Sequence, residues 1–379
     1  MSLAPDALGD LLRLLRERGY QPIGPTLQDG AIVYDELDSA DDLPAGWTDQ
    51  QEAGHYRVAR REDEARFGYN LGPRSWKQWL FPPKLRLFAA RRVGRSFEIE
   101  PDETTPTKWA FIGVRPCELA ALAVQDRVFR DGAHVDSHYA RVREDAFIVT
   151  VQCAQAAPTC FCTSMETGPR AADGFDLALT ELVGDGNHRL LAEAGSERGR
   201  ELLGALGGDA AESADLARGE AATRRAASQI SRTIDGDDLP GMLERTLEDP
   251  HWADVADRCL SCANCTMVCP TCFCSTVEEV QDLAGERTER WREWDSCFTG
   301  RHAYIHGGNQ RPSVASRYRQ WLTHKLGTWH EQFGTSGCVG CGRCIAWCPV
   351  GIDLTEEVAA LRAHDGGPRE DGDEVQEHR

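Results

Sequence analysis

The sequence holds no apolar run near the roughly 18–20 residues that a membrane-crossing helix needs. It also lacks the features of a secretory leader, since Asp6 and Asp10 interrupt the N-terminal leucines and no small-residue cleavage site follows. A cytoplasmic protein without a membrane span is expected. Three motifs are missing as well: the dinucleotide loop G-x-G-x-x-G, the phosphate loop G-x-x-x-x-G-K-[ST] and the metalloprotease pair H-E-x-x-H. Any hydride chemistry therefore belongs to another polypeptide. Lysine is scarce, present only as Lys77, Lys84, Lys108 and Lys325. Acidic residues outnumber basic ones 61 to 42, and the net charge of −19 argues against a nucleic-acid partner, because no basic face is segregated to meet a phosphate backbone.

What is abundant is cysteine, with 15 in 379 residues. A reducing compartment keeps thiols from pairing, so a disulfide framework is excluded and metal binding becomes the leading account. The length and the 41% apolar content predict two or three globular units.

Along the chain, Leu8, Leu11, Leu12 and Leu15 share one helical face, with Gly19 as the stop. Short apolar runs broken by Gly and Pro follow as far as Glu100 and read as strands and turns. Trp109–Val114 and Phe147–Val151 read as strands flanking a helix over Glu118–Phe129, a βαβ unit whose strands must run parallel. The expected fold is thus an α+β or α/β N-terminal domain over 1–200. An Ala- and Gly-rich linker or insertion over 201–235 comes next, then a mainly helical, two-cluster ferredoxin-like domain over 236–363. A disordered acidic tail is expected over 364–379.

The second domain carries one pattern twice. Cys259, Cys262, Cys265 and Cys269 precede Pro270, and Cys338, Cys341, Cys344 and Cys348 precede Pro349, each as C-x2-C-x2-C-x3-C-P. Three thiolates at that spacing wrap three corners of a [4Fe-4S] cubane, and in two-cluster ferredoxins the fourth ligates the other cubane. Cys269 is then a candidate ligand of the cluster held by the second run, and Cys348 of the cluster held by the first. Structural zinc uses separated C-x2-C pairs instead. Gly337, Gly340 and Gly342 would let the second loop approach its cluster closely.

Four further cysteines lie in the first domain. Cys117 and Cys153 follow the two parallel strands, at the edge where open α/β sheets collect ligands, and Cys160 and Cys162 are close enough to fold over the same point. They would hold a third [4Fe-4S] cluster or a zinc ion, or else serve as buried packing thiols. The hexapeptide PTCFCT at 158–163 returns as PTCFCS at 270–275, yet Cys272, Cys274 and Cys297 receive no site from spacing alone. His302 and His306 are candidate ligands or structural histidines. From Cys297 to His330 there is no acid, while Arg301, Arg311, Arg317, Arg319 and Lys325 are basic. These cations would offset anionic clusters, form a solvated face or dock an acidic partner. Trp291, Trp294, Trp321 and Trp329 would give the clusters an apolar shell.

The segments GVRPCELAAL, PTCFCTSMETGP, WDSCF and GCVGCGRCIAWCPVGIDLTEEV, with LPAGWTDQQEAGHYRVARREDEARFGYNLGPRSWKQWLFPP, resemble the iron–sulfur beta subunit of cytoplasmic sulfhydrogenases, the NAD(P)-linked nickel–iron hydrogenases. They are also similar to the electron-input subunit of anaerobic sulfite reductase. The resemblance runs to about Leu361 and lapses in the Ala-rich stretch and the tail. It implies a non-catalytic electron-transfer subunit, with no flavin or nickel of its own, set between a flavin/NAD(P)-binding subunit and the small and large hydrogenase subunits. An electron-input role in an anaerobic sulfite or sulfur reductase is the neighbouring reading, and a metal-binding regulatory protein the rival from another class.

Overall fold

The computed structural model describes residues 1–101, 107–184 and 187–366. Its largest sheet has seven strands in the order Ser2–Leu3, Asn187–Ala194, Leu177–Gly184, Phe147–Val151, Trp109–Val114, Gln21–Gln28, Ala31–Glu36. The four strands from Leu177–Gly184 to Gln21–Gln28 run parallel, and the outer pairings are antiparallel. Trp109–Val114 and Phe147–Val151 are neighbours, as a βαβ unit requires, and the crossover contains the helices Pro116–Phe129 and Ser137–Asp145.

These strands are apolar at nearly every position because helices cover both faces. On one face Leu8, Leu11, Leu12 and Leu15 of helix Ala7–Glu17 pack against Ala110, Ile112, Phe147 and Val149. On the other, Leu119, Leu122, Phe129 and Tyr139 meet Phe111, Val114 and Ile148. Each such leucine contributes roughly 1.5–3 kcal/mol of burial. The rigid sheet fixes where its carboxyl ends deliver Cys117 and Cys153.

The Ala-rich stretch forms two helices, Glu197–Leu206 and Ser213–Gln229. The second lays Gly219, Ala222 and Ala226 inward, and a Cβ on Gly219 would stand 3.0 Å from Leu191, so small side chains are what bring this helix down onto the sheet.

The C-terminal half packs the helices Leu239–Arg245, His251–Arg258, Val314–Thr323 and Leu354–Asp365 around a second core that includes Trp252, Phe298, Trp321 and Leu326. Beside these helices the same half also contributes strands. Ser275–Gln281 and Arg287–Trp294 form a hairpin that joins Lys84–Val93 and Ser96–Pro101 in a four-stranded antiparallel sheet. This sheet is largely solvated, with Val277 and Val280 exposed, and its strands meet through cross-strand charge pairs such as Lys84–Glu293 at 2.6 Å. The two hairpin strands lack the apolar alternation that marks a half-buried strand in sequence. The last helix runs to Asp365, and residues 367–379 of the expected tail lie outside the described residues.

Candidate iron–sulfur sites

The first run starts where helix His251–Arg258 ends, at Cys259, and closes with the short helix Asn264–Met267, which carries Cys265. Between them Ser261 (φ +53°) and Ala263 (φ +67°) take left-handed conformations that curl the loop around its sulfurs. The Ser261 N–H donates to Cys259 Sγ at 3.4 Å. Cys348 arrives from the other run. It lines, with Cys259, Cys262 and Cys265, an apolar pocket walled by Phe298, Tyr318, Trp321 and Ile352, which Cys344 of the second run also touches. The Ile352 N–H donates to Cys348 Sγ at 3.4 Å.

The second run repeats the geometry. Gly340 (φ +64°) and Gly342 (φ +75°) are left-handed at the positions matching Ser261 and Ala263, and the Gly340 N–H donates to Cys338 Sγ at 3.5 Å. Cys269 reaches this group from the first run. Burial raises the thiols of Cys338 and Cys344, and their sulfur neighbours include Cys341 and Cys269. Each run thus lends its fourth cysteine to the other's trio.

The N-terminal thiols converge on the same interface. Cys117 sits in the first turn of helix Pro116–Phe129, and Cys153 follows strand Phe147–Val151. Gly168 separates Cys162 from the start of that helix, so closely that a Cβ there would lie 3.1 Å from Cys162 Sγ and 3.5 Å from Pro116. Burial, then the neighbouring sulfurs Cys162, Cys341 and Cys153, holds the Cys117 thiol well above its ordinary range, and Cys162 is pushed up to about 12 for like reasons. Loading a metal must therefore displace protons that these thiols hold firmly.

The Cys160–Cys162 loop also docks onto the second run. The Phe161 N–H donates to Gly340 O at 2.9 Å and Thr167 Oγ1 to Val339 O at 2.6 Å. A Cβ on Gly340 would fall 2.6 Å from Cys162 Cα, and one on Gly342 2.4 Å from Thr159 O. The glycines expected to admit a cluster therefore also admit this loop. Gly337 answers to a third neighbour, the indole of Trp329, 2.3 Å from where its Cβ would be.

Two charged residues that spacing arguments passed over hold the interface. Arg343, between Cys341 and Cys344, ion-pairs with Glu118, next to Cys117, and both side chains are fully buried. Arg343 Nε also donates to Gly72 O at 2.8 Å, while Glu118 accepts from Tyr34 Oη at 2.7 Å, Trp76 Nε1 at 3.0 Å and the Arg115 N–H at 3.1 Å. A buried ion pair needs partners of this kind, and these leave Nη1 as the one nitrogen of the Arg343 guanidinium without a hydrogen bond among the described residues. The pair's only sequence signal was a charge inside each cysteine motif.

Of the five cations in the acid-free segment, Lys325 meets a candidate ligand, at 3.3 Å from Cys269 Sγ. Arg301 instead pairs with Glu278 at 2.9 Å, Arg319 pairs with Glu248 at 3.1 Å, and Arg317 donates to the carbonyls of Phe298 and Arg311. Trp321 and Trp329 are buried in the shell around the thiols, whereas Trp291 and Trp294 lie half-buried on the four-stranded sheet. Cys272 neighbours Cys269. Cys274 neighbours Cys297 and His302, and hydrogen bonds first from Cys297 and then from His302 lower its thiol. His302 Nδ1 lies 3.4 Å from Asp295, and His306 is exposed.

Among the described residues no three His, Cys, Asp or Glu side chains are gathered tightly enough for one metal ion. A single zinc draws its sulfurs to about 2.3 Å from one centre. Thiols set more widely, in apolar walls and with backbone N–H groups aimed at sulfur, fit a cubane's donor set.

The comparisons agree with this geometry. Residues 258–352 match the family model of the 4Fe-4S dicluster domain. The chain is 33% identical over 291 residues to sulfhydrogenase 2 subunit beta of Pyrococcus furiosus, an alignment covering 75% of this chain and 83% of that one. No solved structure gives a significant match. No helix among the described residues is long and apolar enough to cross a membrane. With its dicluster domain carried beside a mixed α/β sheet, the chain belongs to the sulfhydrogenase beta-subunit family, iron–sulfur electron-transfer proteins of hydrogenase-related oxidoreductases.

Proposed function

We propose that this chain is the electron relay of a cytoplasmic, NAD(P)-linked nickel–iron hydrogenase, carrying electrons between a flavin/NAD(P) subunit and the hydrogenase small subunit. Cys259, Cys262, Cys265 and Cys348 would hold one [4Fe-4S] cluster, and Cys338, Cys341, Cys344 and Cys269 a second. Cys117, Cys153, Cys160 and Cys162 would hold a third. Bound clusters supply one-electron storage and transfer. The chain's own groups fix the spacing, set apolar walls beside the sulfurs and aim N–H donors at those of Cys259, Cys338 and Cys348. No residue of this chain acts as a catalytic acid or base.

The observation that carries this reading is the docking of the Cys160–Cys162 loop on the second run, with the Phe161 N–H on Gly340 O at 2.9 Å. It sets the three thiol groups in a row with the second run in the middle. Neighbouring one-electron sites are the layout of a wire.

The test is the complex with Cys341→Ser. NAD(P)+-linked hydrogen oxidation should vanish, while dye-linked oxidation at the catalytic subunits stays measurable. Retained NAD(P)+-linked turnover would refute the relay. Iron analysis of the intact protein should give about twelve irons per chain, against about eight if the N-terminal thiols bind none.

A further inference from the structure

Two of the four lysines, Lys77 and Lys325, are buried, and they flank one stretch of chain, Cys269–Cys274. Lys77 donates to Cys272 O at 3.1 Å and lies over the Trp294 ring. Lys325 is held more completely. Its Nζ has three acceptors: Cys269 Sγ at 3.3 Å, Thr271 Oγ1 at 3.0 Å and Gly337 O at 3.0 Å. Three acceptors match the three N–H donors of an ammonium, whereas a neutral amine has two.

This ammonium forms no ion pair with a carboxylate among the described residues, and its segment from Cys297 to His330 contains none. A buried charge left without a counter-charge is strongly disfavoured. The anionic candidates around Lys325 are sulfurs, Cys269 first, with Cys272 and Cys338 beside it. The backbone is shaped to bring it there. After helix Val314–Thr323 the chain makes a π-turn over His324–Thr328, and such one-residue insertions, which recur at functional sites, rotate a side chain off the regular helical face.

We propose that Lys325 is a positioning residue that sets the potential of the cluster held by Cys338, Cys341, Cys344 and Cys269, raising it above that of the cluster held by Cys259, Cys262, Cys265 and Cys348. This rests on the ligand assignment above. Reduction adds one electron, hence one negative charge, to a group that is already anionic. An ammonium bonded to a ligand sulfur stabilises the reduced form more than the oxidised one, and hydrogen bonds to sulfur are among the levers on such potentials. The first cluster has no counterpart: the sulfur contacts there are the backbone N–H groups of Ser261 and Ile352. This station would therefore retain electrons that the first cluster passes on.

The test is a potentiometric titration followed by electron paramagnetic resonance, on the full chain purified without oxygen. Lys325→Met should lower one midpoint by at least a tenfold change in reduced-to-oxidised ratio at fixed poise, which is 59 mV for one electron. The other midpoints should stay in place, and Lys325→Arg should restore most of the loss. If Met at this position prevents iron loading, Lys325→Gln keeps amide donors for Gly337 O and Thr271 Oγ1, removes the charge together with the N–H on Cys269 Sγ, and must give the same shift. Wild-type iron with unmoved midpoints in a charge-removing variant overturns the proposal and leaves the ligand assignment standing. Loss of iron in all three variants overturns it too, because Lys325 would then be a structural clasp. A wild-type chain that never binds iron defeats the ligand assignment itself.

Discussion

The two cysteine runs share their spacing and their backbone, yet they occupy opposite environments. Ser261 and Ala263 in the first run, and Gly340 and Gly342 in the second, all adopt positive φ. Glycine is therefore not demanded by conformation alone, since Ser and Ala take it where there is room. It is demanded in the second run because Thr159 and Cys162 lie where any Cβ would go. The residue after the first cysteine tells the same story: Leu260 is 64% exposed and Val339 is 3% exposed. The first run is thus accessible from outside the molecule, and the second is interior. A repeated motif has been specialised by what packs on it rather than by its ligands.

The sharpest way to break this contrast is Gly340→Ala. The new methyl group would collide with Cys162 backbone, and the loop must move to make room for it. Iron analysis should show a loss of about four irons per chain, the content of one cubane, with the dicluster domain still loaded. Full iron content in that variant would mean that docking of the loop and assembly of the N-terminal site are unconnected. A smaller effect is expected from Glu118→Ala, which strips the buried Arg343 of its counter-charge. Breaking such a pair costs about 3–5 kcal/mol. Thermal unfolding should fall accordingly, and the double variant with Arg343→Met should recover part of the loss. If the double variant is no better than the single one, the pair is not the clamp between the two halves.

Local features were legible in the sequence and distant ones were not. The quartets ending in Cys-Pro, the leucine face of Ala7–Glu17 and the two parallel strands all express themselves within a few turns of chain, so spacing and periodicity reveal them. Cys117 and Cys153 could be placed side by side because parallel strands dictate where their ends fall. By contrast Glu118 and Arg343 are 225 residues apart, and Lys77 contacts the Cys272 carbonyl across 195. No local pattern announces such pairs. The strands Ser275–Gln281 and Arg287–Trp294 were obscured for a second reason, since a solvated hairpin tied to its neighbour by Lys84–Glu293 and Arg86–Glu289 offers no apolar alternation to read. The scarcity of lysine was visible from the start, but its meaning at Lys325 needed the fold.

The mildest change tests whether the first run is as open as the contrast requires. Ser261 holds a left-handed conformation, which costs a residue with a Cβ roughly 1–2 kcal/mol. Ser261→Gly would remove that strain, while the added freedom of glycine in the unfolded chain takes back about 0.5–1 kcal/mol. The serine hydroxyl also donates to Phe298 O at 3.2 Å, a bond whose net loss is about 1 kcal/mol. These contributions nearly cancel, so stability should change by less than about 1 kcal/mol, and the Ser261 N–H on Cys259 Sγ is retained by glycine. Iron content and midpoint potentials should match the parent. A marked loss of iron would show that the first loop is as tightly constrained as the second, and the division between an accessible and an interior station would fail.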